Sequence, residues 1–291
     1  MEQAAAIILA AGQGSRMRSK QAKVLHPLAG LEMVNHAVRS VRLAAFDTII
    51  VVVGYQAEKV QAVLGGVTLA KQKEQLGTGH AVDQCREILG DFDGPVLVTY
   101  GDTPLFRSET FRGLVEFHRQ SQGAATIVTA VFDDPTGYGR IIRDGAGQVL
   151  GVVEDKDAGE QERQIREINT GTYCFDSKLL FEYLAQITPD NAQAEYYLPD
   201  VLPLMIKGGH TIGGYVLDDG AESMGINDRT QLSRAEAILR DRICTQWQKQ
   251  GVTIVDPKAT WIEWDCEIGQ DTVIYPGSFI QKGTIIGEDC V

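Results

Sequence analysis

Apolar residues along this chain fall into two kinds of run. Short continuous ones, Ala4–Leu9, Thr48–Val53 and Pro95–Thr99, fit strands covered on both faces, because a half-exposed strand would alternate. Between them, apolar positions at helical spacing predict helices over Met33–Ala45, Ala57–Leu64, Thr78–Leu89 and Ser108–His118. Strand alternating with helix predicts a parallel sheet with helices on both faces, and ligands gather at the carboxyl ends of strands in such sheets. From Gly123 the pattern turns strand-rich, through Ala125–Val131, Gly139–Arg143, Val149–Glu154 and Thr172–Phe175. A helix is expected through Leu204 and Lys207, entered at Glu195–Asp200. The aromatic pair there, Tyr196 and Tyr197, reads as core or pocket wall.

Beyond Gly225 the period changes twice. Asp228 can cap a helix whose apolar face is Leu232, Ala235, Leu239, Ile243 and Trp247, an arm joining two domains. Then Ile262, Ile268, Ile274, Ile280 and Ile286 recur at intervals of six. Two positions before each stands a small residue: Thr260, Cys266, Thr272, Ser278 and Thr284, with Cys290 next. Hexapeptide repeats build a triangular parallel β-helix, whereas an ordinary strand pair would show period two. Three domains are therefore expected: 1–227, a linker helix over 228–250, and repeats over 251–291. So few hexapeptides make fewer than two coils, and the chain is expected to be cut from a longer one.

Composition narrows the function classes. The 291 residues carry a net charge of −12, which argues against a nucleic-acid surface. Anionic substrates would need local cations and a divalent metal to enter such a field. Five scattered cysteines form neither a zinc motif nor a disulfide framework, fitting a reduced cytoplasm. No apolar run approaches the ~18 residues of a membrane span, and Met1-Glu2-Gln3 lacks a basic leader, so the expectation is an untargeted, soluble protein without membrane or nucleic-acid partners.

Candidate chemistry begins where the first strand ends. Ile7–Leu25 passes from apolar residues into two glycines and the basic Arg16, Arg18, Lys20 and Lys23, an arrangement that can wrap phosphates. It lacks the third glycine of the dinucleotide fingerprint and the Gly-Lys-Ser/Thr of ATPase loops. A tight turn after a strand is the bland alternative. Asp102, at the end of Pro95–Thr99, reads either as a cap on the next turn or as a hard oxygen ligand for Mg²⁺. Gly139, Glu154, Asn169 and Thr170 could line a sugar site, though each alone reads as a surface polar residue. His26 and His80 read as structural, since a phosphate nucleophile is already ionised at neutral pH.

Six ordered stretches carry a resemblance: Leu9–Met17 with Lys23-Val24-Leu25, Gln75–His80, Tyr100-Gly101-Asp102, Asp134–Arg140, Glu167–Gly171 and Gly225-Ile226-Asn227. The chain resembles the sugar-1-phosphate nucleotidylyltransferases, and within them the bacterial N-acetylglucosamine-1-phosphate uridylyltransferases that form half of a bifunctional enzyme. The resemblance implies an α/β, Rossmann-like, mostly parallel nucleotidyltransferase domain followed by the start of a left-handed β-helix. It implies uridylyl transfer from UTP to N-acetylglucosamine-1-phosphate for cell-envelope precursors, with UTP and that sugar phosphate as partners and Mg²⁺ as cofactor. Site roles follow from it too. The backbone of Leu9, Ala10, Ala11 and Gly12, with Gln72, Gly77 and Thr78, would read the uracil; Tyr100 and Gly101 would bind substrate. Arg16 and Lys23 would meet phosphate, Asp102 and Asn227 would hold Mg²⁺, and Gly139, Glu154 and Asn169 would contact the sugar. Lys73 departs from the family pattern beside Gln72 and leaves Gln75 as the alternative base contact. The family's acetyl-transfer residues and trimer belong to coils beyond Val291, so acetyl transfer is not expected and trimerisation stays open. The alternatives are another sugar-1-phosphate nucleotidylyltransferase or a non-catalytic sugar-nucleotide-binding regulator.

Overall fold

The computed structural model describes residues 3–191 and 193–291; the first two residues of the expected leaderless start lie outside them. In chain order come β1 (Ala5–Ala10), a hairpin of β2 (Pro27–Leu28) and β3 (Leu31–Glu32), α1 (Met33–Leu43), β4 (Thr48–Val53), α2 (Ala57–Val63) and β5 (Thr68–Lys71). Then follow α3 (Thr78–Asp83), α4 (Arg86–Leu89), β6 (Pro95–Tyr100), α5 (Ser108–Ser121), β7 (Ala125–Val131), β8 (Arg140–Arg143), β9 (Val149–Val153) and β10 (Glu167–Asp176). The last are α6 (Ser177–Leu184), α7 (Val201–Lys207), β11 (Ile212–Val216), α8 (Arg229–Lys249) and six two-residue strands, β12 (Thr253–Ile254), β13 (Trp261–Ile262), β14 (Glu267–Ile268), β15 (Val273–Ile274), β16 (Phe279–Ile280) and β17 (Ile285–Ile286).

The chain forms two compact units, and neither is continuous in sequence. One holds Met1–Gln13 and Val34–Met224; the other holds Gly14–Met33 and Gly225–Val291.

The first unit carries a nine-stranded sheet in the order β11-β7-β10-β6-β1-β4-β5, with β8 and β9 attached to β10. Its strands run parallel except β10, which lies antiparallel to both β6 and β7, and the β8–β9 hairpin. The continuous apolar run of β1 is buried at every position, as a strand covered on both faces must be. Register steps from Leu9↔Val52 across to Leu9↔Tyr100, so β1, β4 and β6 end together. The helix expected over Thr78–Leu89 is broken at Gln84–Cys85. There the Cys85 amide bonds three residues back, to the Val82 carbonyl at 2.9 Å, tightening the turn and burying Cys85 completely.

In the second unit, α8 is capped by the Asp228 carboxylate, which accepts from the Gln231 amide at 2.8 Å. The short strands pair in parallel as Ile254↔Ile274, Ile262↔Ile280 and Ile268↔Ile286. Ile254, Ile262, Ile268, Ile274 and Ile280, with Val252, Cys244 and Cys266, form one apolar cluster against which Ile286 and, from α8, Trp247 pack. No helix among the described residues is long and apolar enough to cross a membrane.

Candidate active site

Within the sheet-bearing unit, strand ends meet on one edge. The Gly101 amide donates to the Leu9 carbonyl at 2.9 Å, and the Tyr55 amide to the Ala11 carbonyl at 3.0 Å. The Gln72 amide donates to the Val53 carbonyl at 2.9 Å. The carboxyl ends of β5, β4, β1 and β6 therefore present Gln72, Gly54, Ala11–Gly12 and Gly101–Asp102 as neighbours, where parallel sheets bind ligands.

The Gln72–His80 loop is locked from inside. Gln72 is buried, and its Nε2 donates to the Gly77 carbonyl at 3.0 Å and lies 3.1 Å from His80 Nδ1. With the amide so assigned, His80 accepts at Nδ1, a structural role. Gln75 is exposed, and its Nε2 lies 2.9 Å from where a Gly54 side chain would begin. Tyr196 clamps the loop through its backbone, its amide donating to the Leu76 carbonyl and its carbonyl accepting from the Gly79 amide, both at 2.8 Å. Gly77 is required there: its φ is +111°, and a Cβ would stand 2.5 Å from the Tyr196 carbonyl oxygen.

Tyr100 ties this loop to the β10 side. Its hydroxyl pairs with Thr78, and burial, then Asp102 and Glu154, raise its pKa, so the phenol stays neutral. A register shift in β10 after Asn169, which still pairs with Thr129, and before Tyr173 takes Thr170–Thr172 out of the β7 ladder. Asn169 Nδ2 then donates to the Tyr173 hydroxyl at 2.8 Å, its Oδ1 accepts from the Gly171 amide at 3.0 Å, and its own amide donates to the Gly139 carbonyl at 2.8 Å. Glu154 faces Gly139, its Oε1 3.2 Å from where a Cβ would lie. Burial first, and then Asp157, Asp200 and Asp155, lift the Glu154 carboxyl above its ordinary range. Sequence reasoning missed Arg140, which is 2% exposed and holds the strand end by pairing with the Tyr138 carbonyl and, at 2.8 Å, with Asp155. An arginine closing Gly-Tyr-Gly-Arg was the only local signal.

The second unit carries the cations. Ser15–Met17 forms one 3₁₀ turn that leaves Arg16 exposed and Met17 buried. The Lys23 stem lies against Gly14, where a Cβ would stand 2.4 Å from Lys23 Cβ. Lys23 Nζ donates to Asn227 Oδ1 at 2.9 Å, joining residues 204 apart in the chain. The Asn227 amide donates to Gln231 Oε1 at 2.7 Å, fixing the residue at the foot of α8. Burial and the nearby Arg229 lower the His26 pKa, which keeps this histidine neutral.

Among the described residues no three His, Cys, Asp or Glu side chains cluster as an all-protein metal cage. Asp102 in the first unit and Asn227 in the second each offer a hard oxygen, that of Asn227 already turned towards the Lys23 ammonium. Each is by itself the donor type that suits a cation drawing most of its ligands from water and phosphate.

The chain is similar to known proteins along nearly all its length. The Bifunctional protein GlmU of Geobacillus sp. (strain WCH70) is 52% identical over 98% of this chain and 62% of its own length. That of Brevibacillus brevis is 51% identical over the same shares. The chain thus spans about three-fifths of the length of these relatives. A solved UDP-glucose pyrophosphorylase shares the fold at a TM-score of 0.67 and 15% identity, covering 83% of this chain and 100% of that one. The nucleotidyl transferase family matches residues 5–248, five-sixths of the chain and all the strands of the large sheet, and the chain belongs to that family.

Proposed function

We propose that the chain is a UDP-N-acetylglucosamine diphosphorylase, transferring the uridylyl group of UTP to N-acetylglucosamine-1-phosphate for cell-envelope precursors in the cytoplasm. The observation that carries the reading is the convergence of Gln72, Gly77–Thr78, Tyr100–Asp102, Gly139, Glu154 and Asn169 at the strand ends of one unit. It occurs in a chain about half identical to GlmU relatives over nearly all its length.

The chemistry is an in-line displacement. A phosphate oxygen of the sugar phosphate forms a new bond to the α-phosphorus, the bond to the bridging oxygen breaks, and pyrophosphate leaves with its electron pair. Both reactants are polyanions, so alignment and charge neutralisation dominate, each worth several kcal/mol. The backbone of Leu9–Gly12 with Gln72, Gly77 and Thr78 holds the uracil. Gln72 is better placed than Gln75 to set the loop, because its amide is already committed inside it. Arg16 and Lys23 meet the triphosphate. Tyr100 and Gly101 border the reacting phosphates, while Gly139, Glu154 and Asn169 hold the sugar and its acetyl group. Asp102 and Asn227 would hold Mg²⁺, which when bound neutralises phosphate charge; their pairing rests on the family resemblance.

Domains are proposed as 1–227, 228–250 and 251–291, the last a hexapeptide-repeat β-helix. Support comes from parallel pairs 18 residues apart, Ile262 with Ile280 and Ile268 with Ile286, which is three hexapeptides per coil.

The test is pyrophosphate release from UTP, Mg²⁺ and N-acetylglucosamine-1-phosphate. Asp102→Ala is expected to lose more than about 100-fold in turnover with an unchanged melting temperature. Near-normal turnover would remove Asp102 from the metal site.

A further inference from the structure

The phosphate-binding loop is tied to α8 and to the first coil at points no motif announces. Its far end is the β2–β3 hairpin, whose two turn residues, Ala29 and Gly30, both sit at positive φ, +45° and +76°. Such primed turns suit glycine or asparagine, so Ala29 is strained and needs neighbours that over-determine it. Those neighbours are present. Both Glu236 carboxylate oxygens accept from the Ala29 amide, at 3.0 and 3.3 Å, and the Ala29 carbonyl accepts from the Trp264 amide at 2.7 Å. The Glu263 side chain lies 2.7 Å from where a Gly30 Cβ would be. Nearer the cations, Arg229 Nε donates to the Met17 carbonyl at 3.3 Å, and Asn227 holds Lys23.

We propose that Glu236 is a positioning residue for nucleotide binding: from the arm helix it fixes the hairpin that sets the Gly14–Lys23 loop, so this one contact of the arm serves the nucleotide-binding machinery. The proposal rests on the reading of Arg16 and Lys23 as phosphate contacts. A carboxylate spanning 207 residues to one strained amide is otherwise unexplained. Its position on α8 also removes it from every motif of the family signature.

The test measures UTP affinity calorimetrically in the presence of MgCl₂, with melting temperature alongside, on the 291-residue chain. Glu236→Ala is expected to weaken UTP about tenfold, while Glu236→Gln, which keeps an acceptor, stays within about twofold. Glu236→Asp withdraws the carboxylate by one methylene and gives the same direction as alanine if the latter is too unstable to assay. The control is Asp256→Ala, which removes a turn cap donated to by the Lys258 and Ala259 amides and lowers stability without touching the hairpin. It is expected to leave UTP affinity unchanged. The proposal is overturned if Glu236→Ala binds UTP normally, if Asp256→Ala weakens UTP equally at equal loss of melting temperature, or if glutamine is as weak as alanine. A wild-type chain that binds UTP yet releases no pyrophosphate would fail the uridylyl-transfer reading alone, and the affinity comparison would still decide the role of Glu236.

Discussion

At the scale of single residues, the site depends on backbone positions as much as on charged groups. Gly77 has room for a hydrogen only, between a left-handed backbone and the Tyr196 peptide. Gly77→Ala is therefore expected to raise the KM for UTP about tenfold, because strain of ~1–3 kcal/mol must be relieved by opening the loop. An unchanged KM would show that the loop does not contact nucleotide. Lys23 and Asn227 were each legible through the family resemblance, but their hydrogen bond was not, since no local pattern joins residues 204 apart. Glu236 was illegible for a different reason: on an arm helix a glutamate reads as a solvated face. Burial of the Gln72 side chain was equally hidden, as glutamine is ordinarily exposed, and only the fold shows its amide spent on Gly77 and His80.

At the scale of elements, the repeats are the most directly testable. Ile268 is 7% exposed and paired with Ile286, so Ile268→Ala is expected to cost about 2–4 kcal/mol locally. Hydrogen exchange at Glu267–Ile268 and Ile285–Ile286 should accelerate, and unaltered protection would contradict an inward isoleucine. The short strands fall on the hexapeptide period, and six residues is a period no ordinary strand or helix shares. β4 came out of the sequence with its observed ends, since a β-branched run bounded by Asp47 and Gly54 has one interpretation. β10 was read only as Thr172–Phe175, because Asn169-Thr170-Gly171 interrupts the pattern at the very bulge that aims Asn169. β11 escaped because Gly213 and Gly214 dilute its apolar signal, and β5 because Thr68–Lys71 has only one buried position. The main-path strands missed outright are thus the two outermost, β5 and β11, while the reversed β10 was legible only in its carboxyl half.

At the scale of the whole molecule, acid sensitivity follows from a histidine outside the site. His118 on α5 is 5% exposed, its Nδ1 3.0 Å from Thr126 Oγ1, and burial lowers its pKa to about 4, with Asp176 opposing and Arg119 assisting. Unfolded, the ring takes a proton near pH 6.5; folded, it does so only near pH 4. Protons therefore favour the unfolded chain between those values, so stability is full above pH 6.5 and falls as the pH drops towards 4. The loss is about 3 kcal/mol at most. Urea titrations of wild type and His118→Gln should converge as the pH falls through that window, and parallel curves would contradict the assignment. The central claim concerns catalysis, and it is tested most directly by pyrophosphate release with UTP and Mg²⁺ across three acceptors: N-acetylglucosamine-1-phosphate, glucosamine-1-phosphate and glucose-1-phosphate. Strong preference for the acetylated sugar is the predicted result; equal use of all three, or release with none, would contradict it.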